Sequence, residues 1–249
     1  MVQAGNYLFD NINRYFGDFY VCLRRKTDLM TGEVELTATV LKYEGCGNDV
    51  VIPSTFDGYV TAEIGYQAFF NNQDVVRLRI PATITHISEA AFAECKNLTK
   101  VWVIETFTHR KVRDLWLSDK VFYNCEKLSE FKAVNKEILC YAASQLQFGN
   151  CVNLIVMNTE LKYIRQTTLS NCQSLERIII ADGGYLEHSV LKTLPNLKTV
   201  AFMGSFDSKN MSKRTMSHIA KLNVICYQNS NATELAYLGA NIQIVNQGT

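Results

Sequence analysis

The sequence predicts a β-rich or α/β repeat solenoid, in which similar coils stack and contribute short parallel strands to a shared sheet. An apolar pattern recurs six times along the chain, at intervals of 21 to 30 residues. Within each copy, apolar and polar residues alternate over a length that fits a short strand. The chain has 249 residues, 47% hydrophobic and 20% charged, a composition typical of a folded protein.

The repeat is clearest between Ile87 and Val103, where Phe92 is followed by Cys95, Leu98 and Val101. Other copies place apolar residues at matched offsets from an equivalent anchor. The anchors are Phe69, Phe92, Phe122, Phe148, Leu169 and Leu191. Their successive spacings are 23, 30, 26, 21 and 22 residues. Six units in register indicate a solenoid.

A single coil of this kind is not expected to be stable. It buries roughly five apolar side chains, which contribute on the order of 8–15 kcal/mol. Ordering the backbone of its residues costs about 1–2 kcal/mol each. Stacking covers both flanks of a coil, so the pattern predicts several coils closed by a cap at each end.

The strand of the template coil predicts which side chains face outward. Val101 and Val103 are expected to point into the core, and Lys100 and Trp102 to point out. Extending this alternation predicts two outward rows. They are Arg77, Lys100, Glu130, Val156, Arg177 and Thr199 in one row, and Arg79, Trp102, Lys132, Asn158, Ile179 and Ala201 in the other.

These rows suggest a binding surface centred on Trp102, because tryptophan and arginine are enriched at binding hot spots. The candidate binding residues are Arg77, Arg79, Lys100, Trp102, Glu130, Lys132 and Arg177. Alternatively, the long basic side chains only shield an exposed aromatic ring. A local basic patch favours an acidic protein surface or a glycan over a nucleic acid.

Four of the eight cysteines, Cys95, Cys125, Cys151 and Cys172, occupy one repeat position, which Asn72 fills in the first coil. Stacked coils would hold these side chains about 4.8 Å apart, which exceeds the Cβ separation of about 3.5–4.5 Å in a disulfide. We therefore expect buried, reduced thiols. No cysteine spacing typical of a zinc site occurs.

Other function classes find little support. The formal net charge is +1, so no global basic field would attract nucleic acid or anionic lipid. The four histidines are scattered, and sequence motifs of nucleotide, hydrolase or zinc-protease sites are absent. We expect no enzyme activity, no cofactor, no metal and no membrane span. The first residues lack a basic segment followed by an apolar one, as a secretion signal would have.

Three segments resemble one known family: Ile64–Phe69, Ile80–Pro81 and Ala91–Leu98. They are similar to the BspA-like leucine-rich repeat, whose unit is approximately I-G-x-x-A-F-x-x-C-x-x-L-x-x-I-x-I-P. The resemblance extends from about Gly17 to Val245. It implies a right-handed leucine-rich-repeat solenoid. The Ile-Pro pair is lost after Pro81, which predicts less regular later coils.

The resemblance also implies a function. Members of this family are typically bacterial surface or secreted proteins that serve in adhesion and protein binding, without catalytic residues. A monomeric module that recognises a protein or glycan ligand is therefore expected. The alternative is a structural part of a larger surface assembly or of a longer chain, which would form concentration-dependent oligomers. Because no secretion signal is recognised, an intracellular location is also left open.

The organisation predicted from the sequence has three parts. Residues 1–49 form an N-terminal cap, in which Leu8, Ile12, Tyr15 and Phe16 suggest a helix and residues 19–43 suggest a hairpin. Residues 50–204 contain the six repeats. Residues 205–249 hold a degenerate repeat and a cap made of a strand and a helix. Insertions at 106–113 and 206–214 are predicted loops.

Overall fold

A computed structural model describes residues 1–104, 114–140, 145–204, 213–227 and 241–245. The first strands are β1 (Val2–Ala4), β2 (Tyr7–Phe16), β3 (Phe19–Asp28), β4 (Val34–Tyr43), β5 (Asp49–Val51), β6 (Thr55–Phe56) and β7 (Tyr59–Ile64). Next come β8 (Arg77–Pro81), β9 (His86–Ile87), β10 (Lys100–Ile104), β11 (Asp114–Leu117), β12 (Glu130–Cys140) and β13 (Val156–Ile164). The last elements are β14 (Arg177–Leu186), α1 (His188–Thr193), β15 (Thr199–Phe202), α2 (Lys213–Ile219), β16 (Asn223–Tyr227) and β17 (Asn241–Val245).

The coils stack through parallel strands, as the repeat pattern predicts. Strands β5, β8, β10, β12 and β13 pair in order, so that Val50, Leu78, Val101, Phe131 and Met157 lie side by side. A second parallel row joins β4, β7, β9, β11 and the later part of β12. The predicted strand-rich solenoid is confirmed, and its earlier coils contribute to two rows of strands.

The anchor residues form a continuous aromatic spine inside the coils. The ring centroids of Tyr43 and Phe69 lie 4.9 Å apart, and those of Phe69 and Phe92 also lie 4.9 Å apart. Phe92 and Phe122 are separated by 5.3 Å, as are Phe122 and Phe148. All four phenylalanines are buried. Each ring therefore covers its neighbour, which is how adjacent coils stabilise one another.

The repeated cysteines form a second ladder. Cys95 Sγ donates a hydrogen bond to the backbone oxygen of Phe69 at 3.0 Å, and each later thiol reaches the preceding coil's anchor at 3.1 Å. The predicted burial of these thiols is confirmed. Burial raises the pKa of Cys95 and of Cys172 to about 12 and raises the pKa of Cys125 and Cys151 well above the ordinary value. These groups stay protonated at neutral pH and are poor nucleophiles.

A third ladder precedes the cysteines and was not predicted. Asn71, Glu94, Asn124, Asn150 and Asn171 all have positive φ values, between 56° and 63°. Asparagine tolerates this left-handed conformation better than most residues. Asn150 Nδ2 donates to Asn124 Oδ1 at 2.7 Å, and Asn171 Nδ2 donates to Asn150 Oδ1 at 3.0 Å. The turns that contain Asn124, Asn150 and Asn171 are thus tied together by side-chain amides.

The predicted N-terminal helix is wrong, because residues Tyr7–Phe16 form strand β2. β2 pairs antiparallel with β3 along its whole length, and β3 pairs antiparallel with β4. The hairpin predicted for residues 19–43 is confirmed. β4 then joins β7 in parallel, so the meander β1–β4 extends one row of solenoid strands.

The later coils are less regular, and the predicted outward rows do not continue unchanged there: Asn158 keeps its place beside Lys132. Asn158 was expected beside Ile179, but Glu160 occupies that place because the register of β13 shifts along the strand. Ala201 is buried although an outward position was predicted. Its short side chain lies between Ile179 and Ile225 on the flanking strands, whose larger side chains can cover it.

The C-terminal prediction is partly tested. Its strand is present as β16, which pairs in parallel with β15 and β17. The helix expected after β16 and the insertion at 106–113 lie outside the described residues. Of the loop predicted at 206–214, the described residues Lys213 and Arg214 begin helix α2.

Candidate functional site

The outward residues of four neighbouring strands make up the candidate site, which we name the Trp102 patch. Its members are Asp49, Arg77, Arg79, Lys100, Trp102, Glu130 and Lys132. On β10, Trp102 lies between Arg79 of β8 and Lys132 of β12. Lys100 lies in the same way between Arg77 and Glu130. The predicted neighbourhood of Trp102 is therefore present in the fold.

The indole of Trp102 is half-buried and held on several sides. Its Nε1 donates a hydrogen bond to Glu130 Oε1 at 3.0 Å. The guanidinium carbon of Arg79 lies 5.7 Å from the ring centroid, and Lys100 Nζ lies 5.6 Å from it. Cations at such distances are attracted to the ring face. These contacts reduce the rotational freedom of the indole before any ligand arrives.

Asp49 belongs to the patch, and sequence reasoning missed it. Its carboxylate lies 3.2 Å from Arg77 Nε and 3.2 Å from a terminal nitrogen of Arg79. A signal was available, because Asp49–Pro53 aligns with Arg77–Pro81 and both end in Ile-Pro. That alignment places Asp49 in the outward row, directly beside Arg77.

The patch retains an excess of positive charge. It holds four cationic side chains, Arg77, Arg79, Lys100 and Lys132, and the two carboxylates of Asp49 and Glu130. Lys100 Nζ lies 3.7 Å from Glu130 Oε2. Such solvent-exposed pairs contribute only about 0–1 kcal/mol each and can rearrange. The cations are therefore available to an anionic ligand at small energetic cost.

Arg177 does not join this group. It lies on β14, three strands beyond β10, which corresponds to about 14 Å at the usual strand spacing. Its register partner is Thr199, and its Nε is buried without a hydrogen-bond partner among the described residues. The structure thus separates one of the seven predicted binding residues from the other six.

Within the described ranges, no cluster of three or more histidine, cysteine or acidic residues has a geometry that could hold a metal ion. None of the helices in that part of the chain is long and apolar enough to cross a membrane.

The repeats match the model of a known family over residues 44–113 and 115–233. That model is the BspA type leucine rich repeat region, and it is matched by six copies. The chain belongs to the BspA-type leucine-rich-repeat family. Residues 1–43 of this BspA-type protein, which include the meander β1–β4, lie outside the match. Comparison with curated proteins finds no match.

Solved structures include similar repeat proteins. The leucine-rich-repeat protein TpLRR of T. pallidum is 17% identical over 85% of this chain and 92% of its own, with a TM-score of 0.41. A leucine-rich-repeat protein from Bacteroides capillosus is 17% identical over 77% of this chain and 99% of its own, with a TM-score of 0.32. The pneumococcal vaccine antigen PcpA is 10% identical over 100% of this chain and 98% of its own, with a TM-score of 0.25. The family assignment rests on the repeat match.

Proposed function

We propose that this BspA-type protein is a non-catalytic recognition or adhesion module that binds a protein or glycan ligand on its outward strand face. The proposal places the contact at the Trp102 patch. Family membership supports a protein-interaction role at the coarse level. The observation that carries the finer proposal is the half-buried indole of Trp102, held between cationic groups on a rigid array of parallel strands.

The chemistry of the patch favours an anionic ligand. Arg79 and Lys132 flank Trp102 on the two neighbouring strands, and the patch as a whole carries more cations than carboxylates. Arginine can bind a carboxylate or sulfate through two parallel hydrogen bonds. An anionic group of an acidic protein segment or glycan could displace the Asp49 carboxylate from the guanidinium groups of Arg77 and Arg79. The indole face would then pack against an apolar stretch of that ligand.

A nucleic acid is a less suitable partner. The chain carries a formal net charge of +1, and Asp49 and Glu130 lie within the patch itself. Affinity for nucleic acid depends on neutralising several phosphates along an extended surface. The proposal therefore excludes nucleic acid as the main ligand, and it includes a bacterial surface or secreted location, as is usual in this family.

The test is a pull-down with the purified protein against surface fractions of bacterial and host cells. Proteins and glycans retained by the wild-type chain are identified and their affinities measured. We expect the double variant Trp102→Ala/Arg79→Ala to lose at least tenfold in affinity, because both the aromatic contact and a bidentate cation are removed. Raising the salt concentration should also weaken binding.

A matched control is Lys198→Ala. Lys198 is a basic residue in an exposed ion pair with Glu176 and lies outside the patch. It should leave the affinity unchanged. Full retention of ligand by the double variant, with normal folding by circular dichroism, would disprove the assignment of the binding site to the Trp102 patch. Loss of binding in both variants would point to a diffuse electrostatic attraction instead.

A further inference from the structure

The meander leaves most of one strand edge open. β2 pairs with β3 on one side, and on the other side β1 covers only Tyr7–Phe9. Among the described residues, no strand pairs with the remaining Asp10–Phe16 stretch on that side. We name this stretch the β2 edge. An open strand edge presents unpaired backbone groups that can pair with another strand.

The register shows which backbone groups point outward. Ala4 and Tyr7 flank a two-residue turn, which makes them a hydrogen-bonded pair in a hairpin. Tyr7 therefore directs its backbone N–H and C=O groups toward β1. Because such pairs recur at every second residue, the odd-numbered residues of β2 that follow direct their backbone groups to the same side. Asn11, Asn13 and Tyr15 therefore direct their backbone N–H and C=O groups toward the open side.

The β2 edge lacks several features that usually protect such strands. It contains no proline and no lysine, and the ten residue pairs between β2 and β3 run without a bulge. Natural edge strands commonly use such features to prevent association. Two large side chains on the edge are exposed instead, with 44% of Ile12 and 57% of Tyr15 accessible to solvent. The strand is thus suited to pairing.

The sequence of the edge is complementary to itself. If two copies of β2 pair antiparallel about Ile12, Asp10 of each lies opposite Arg14 of the other, and Asn11 lies opposite Asn13. Within one chain, Asp10 and Arg14 are four residues apart on an extended strand, about 13 Å, so they cannot pair with each other. A register centred on Arg14 would instead oppose like charges. Charge complementarity therefore favours a second copy as the occupant.

We propose that the β2 edge is a homodimer interface, in which two chains pair through β2 about a two-fold axis at Ile12. Each symmetry-related pair of Asn11 and Asn13 exchanges both of its backbone hydrogen bonds. The two Ile12 side chains meet on the axis, and an Asp10–Arg14 ion pair forms on each side. The existing contact of Arg14 with Asp57, at 3.4 Å, is exposed and can yield.

The five residues Asp10–Arg14 pair without meeting β1. Beyond them, Tyr15 of one copy would face Phe9 of the other, which β1 covers, so pairing extends further only if β1 leaves the edge. The dimer should therefore be weak and concentration-dependent. Specific stable interfaces bury about 800 Å² per partner, more than five-residue strands provide alone. The monomer expected from the sequence is then the dilute form of the protein. In each copy β2 is joined through β3 and β4 to β7. Pairing of the two β2 strands would therefore join the sheets of both copies into one continuous sheet. The Trp102 patch lies on strands β5, β8, β10 and β12 and not on the β2 edge, so loss of ligand binding and loss of self-association are measured separately. Self-association is also expected of the structural alternative, so ligand binding is what tests the proposed function.

The first test is sedimentation velocity of the full chain from about 10 µM to about 1 mM. We expect the weight-average mass to rise toward twice that of the monomer. Asp10→Arg or Arg14→Asp alone should reduce self-association at least fivefold, because like charges then lie opposite each other. The double variant Asp10→Arg/Arg14→Asp should restore it. A chain that stays monomeric at every concentration, or a double variant that stays as weak as the single ones, would overturn the proposal.

A second test checks the register. In a Cys46→Ser background, which removes the exposed native thiol, Ile12→Cys should form a disulfide-linked dimer with oxidised glutathione. Facing cysteines at a pair without backbone hydrogen bonds have a short Cα separation, which suits a disulfide. Tyr15→Cys is the matched control on the same edge, since its copies lie far from the axis. Equal cross-linking of both variants would contradict pairing about Ile12.

Discussion

The stacked coils and the N-terminal meander use different contacts to hold the chain. In the coils, a residue's main partner is the equivalent residue of the next coil, 21 to 30 positions away, as in the stack of Phe92, Phe122 and Phe148. In the meander, the ten-residue strands β2, β3 and β4 pair across short connections, of two residues between β2 and β3 and of five between β3 and β4. Burial there concentrates in a few residues such as Val21 and Val40. The coils therefore depend on their neighbours, whereas the meander depends on its turns and its attachment through β4.

The largest test of this difference is Phe122→Ala. Phe122 is fully buried and lies within 5.5 Å of Phe92, Phe148 and Phe131, measured between ring centroids. We expect the free energy of unfolding in urea to fall by about 3–5 kcal/mol, because the cavity removes contacts with both adjacent coils. Tyr66→Ala, at a side chain that is 62% exposed, is the control and should change stability by less than about 0.5 kcal/mol. Similar losses in the two variants would contradict the spine.

The cysteine ladder predicts that stability depends on pH on the alkaline side. Burial raises the pKa of Cys95 and Cys172 to about 12, above the usual value of 9.0. The protonated thiols stabilise the fold fully below about pH 9, and this contribution is lost as the pH rises toward 12. The expected slope is about 1.4 kcal/mol per pH unit for each thiol.

Urea unfolding at pH 8 and pH 10 measures this effect. The Cys95→Ala/Cys172→Ala variant should lose about 3 kcal/mol less than the wild type between these two pH values. Tyrosines and lysines titrate equally in both proteins, so the difference isolates the two thiols. Identical pH dependence in the two proteins would show that the thiols do not titrate as the buried ladder requires.

The side-chain bonds among Asn124, Asn150 and Asn171 predict an intermediate effect on the free energy of unfolding. Asn150 has a φ of 62° and bonds through its side chain to Asn124 and Asn171. Asn150→Ala should cost about 2 kcal/mol, from backbone strain together with the lost hydrogen bonds. Asn150→Gly removes only the hydrogen bonds and should cost about half as much. Equal losses on thermal or urea unfolding would mean that the backbone conformation contributes little.

One buried residue predicts a stabilising substitution. Gln147 is fully buried, and both polar atoms of its side chain lack a partner within the described part of the chain. Gln147→Met preserves the approximate volume and should raise stability by about 1–2 kcal/mol, because an unsatisfied amide no longer lies in the core. The equivalent Thr168→Val should instead destabilise, since Thr168 Oγ1 accepts a hydrogen bond from the Arg165 backbone nitrogen. Destabilisation by Gln147→Met in urea would indicate a satisfied amide.

The smallest expected effect lies in the meander. Gly17 begins the turn between β2 and β3 with a φ of 59°, and no atom would contact an added Cβ. Gly17→Ala should therefore cost about 1 kcal/mol through backbone strain alone. Gly17→Asn should cost less, because asparagine tolerates this conformation. Hydrogen exchange of β2 and β3 measures the change locally, and an equal effect across the distant coils would contradict the contrast between the two regions.

The sequence predicted the coils well because each buried position is repeated. Six copies of the anchor and strand pattern predict the inward set, which includes Phe92, Leu98 and Val101, and all three are buried. The meander offers no such repetition. Leu8, Ile12 and Phe16 are four residues apart, which fits one face of a helix and also one face of a strand. The turn residues Gly5–Asn6 and Gly17–Asp18 on either side favoured strands, and the pairing with β3 decided between them.

The sequence by itself determined the repeat architecture, the buried anchors and the neighbourhood of Trp102, because a constant period brings equivalent residues together. Only the tertiary structure decided that Asp49 joins the patch, that Arg177 stands apart, and that the edge of β2 is open. The physical reason is that register shifts, strand partners and uncovered edges depend on contacts between distant segments. Those contacts have no fixed spacing along the chain.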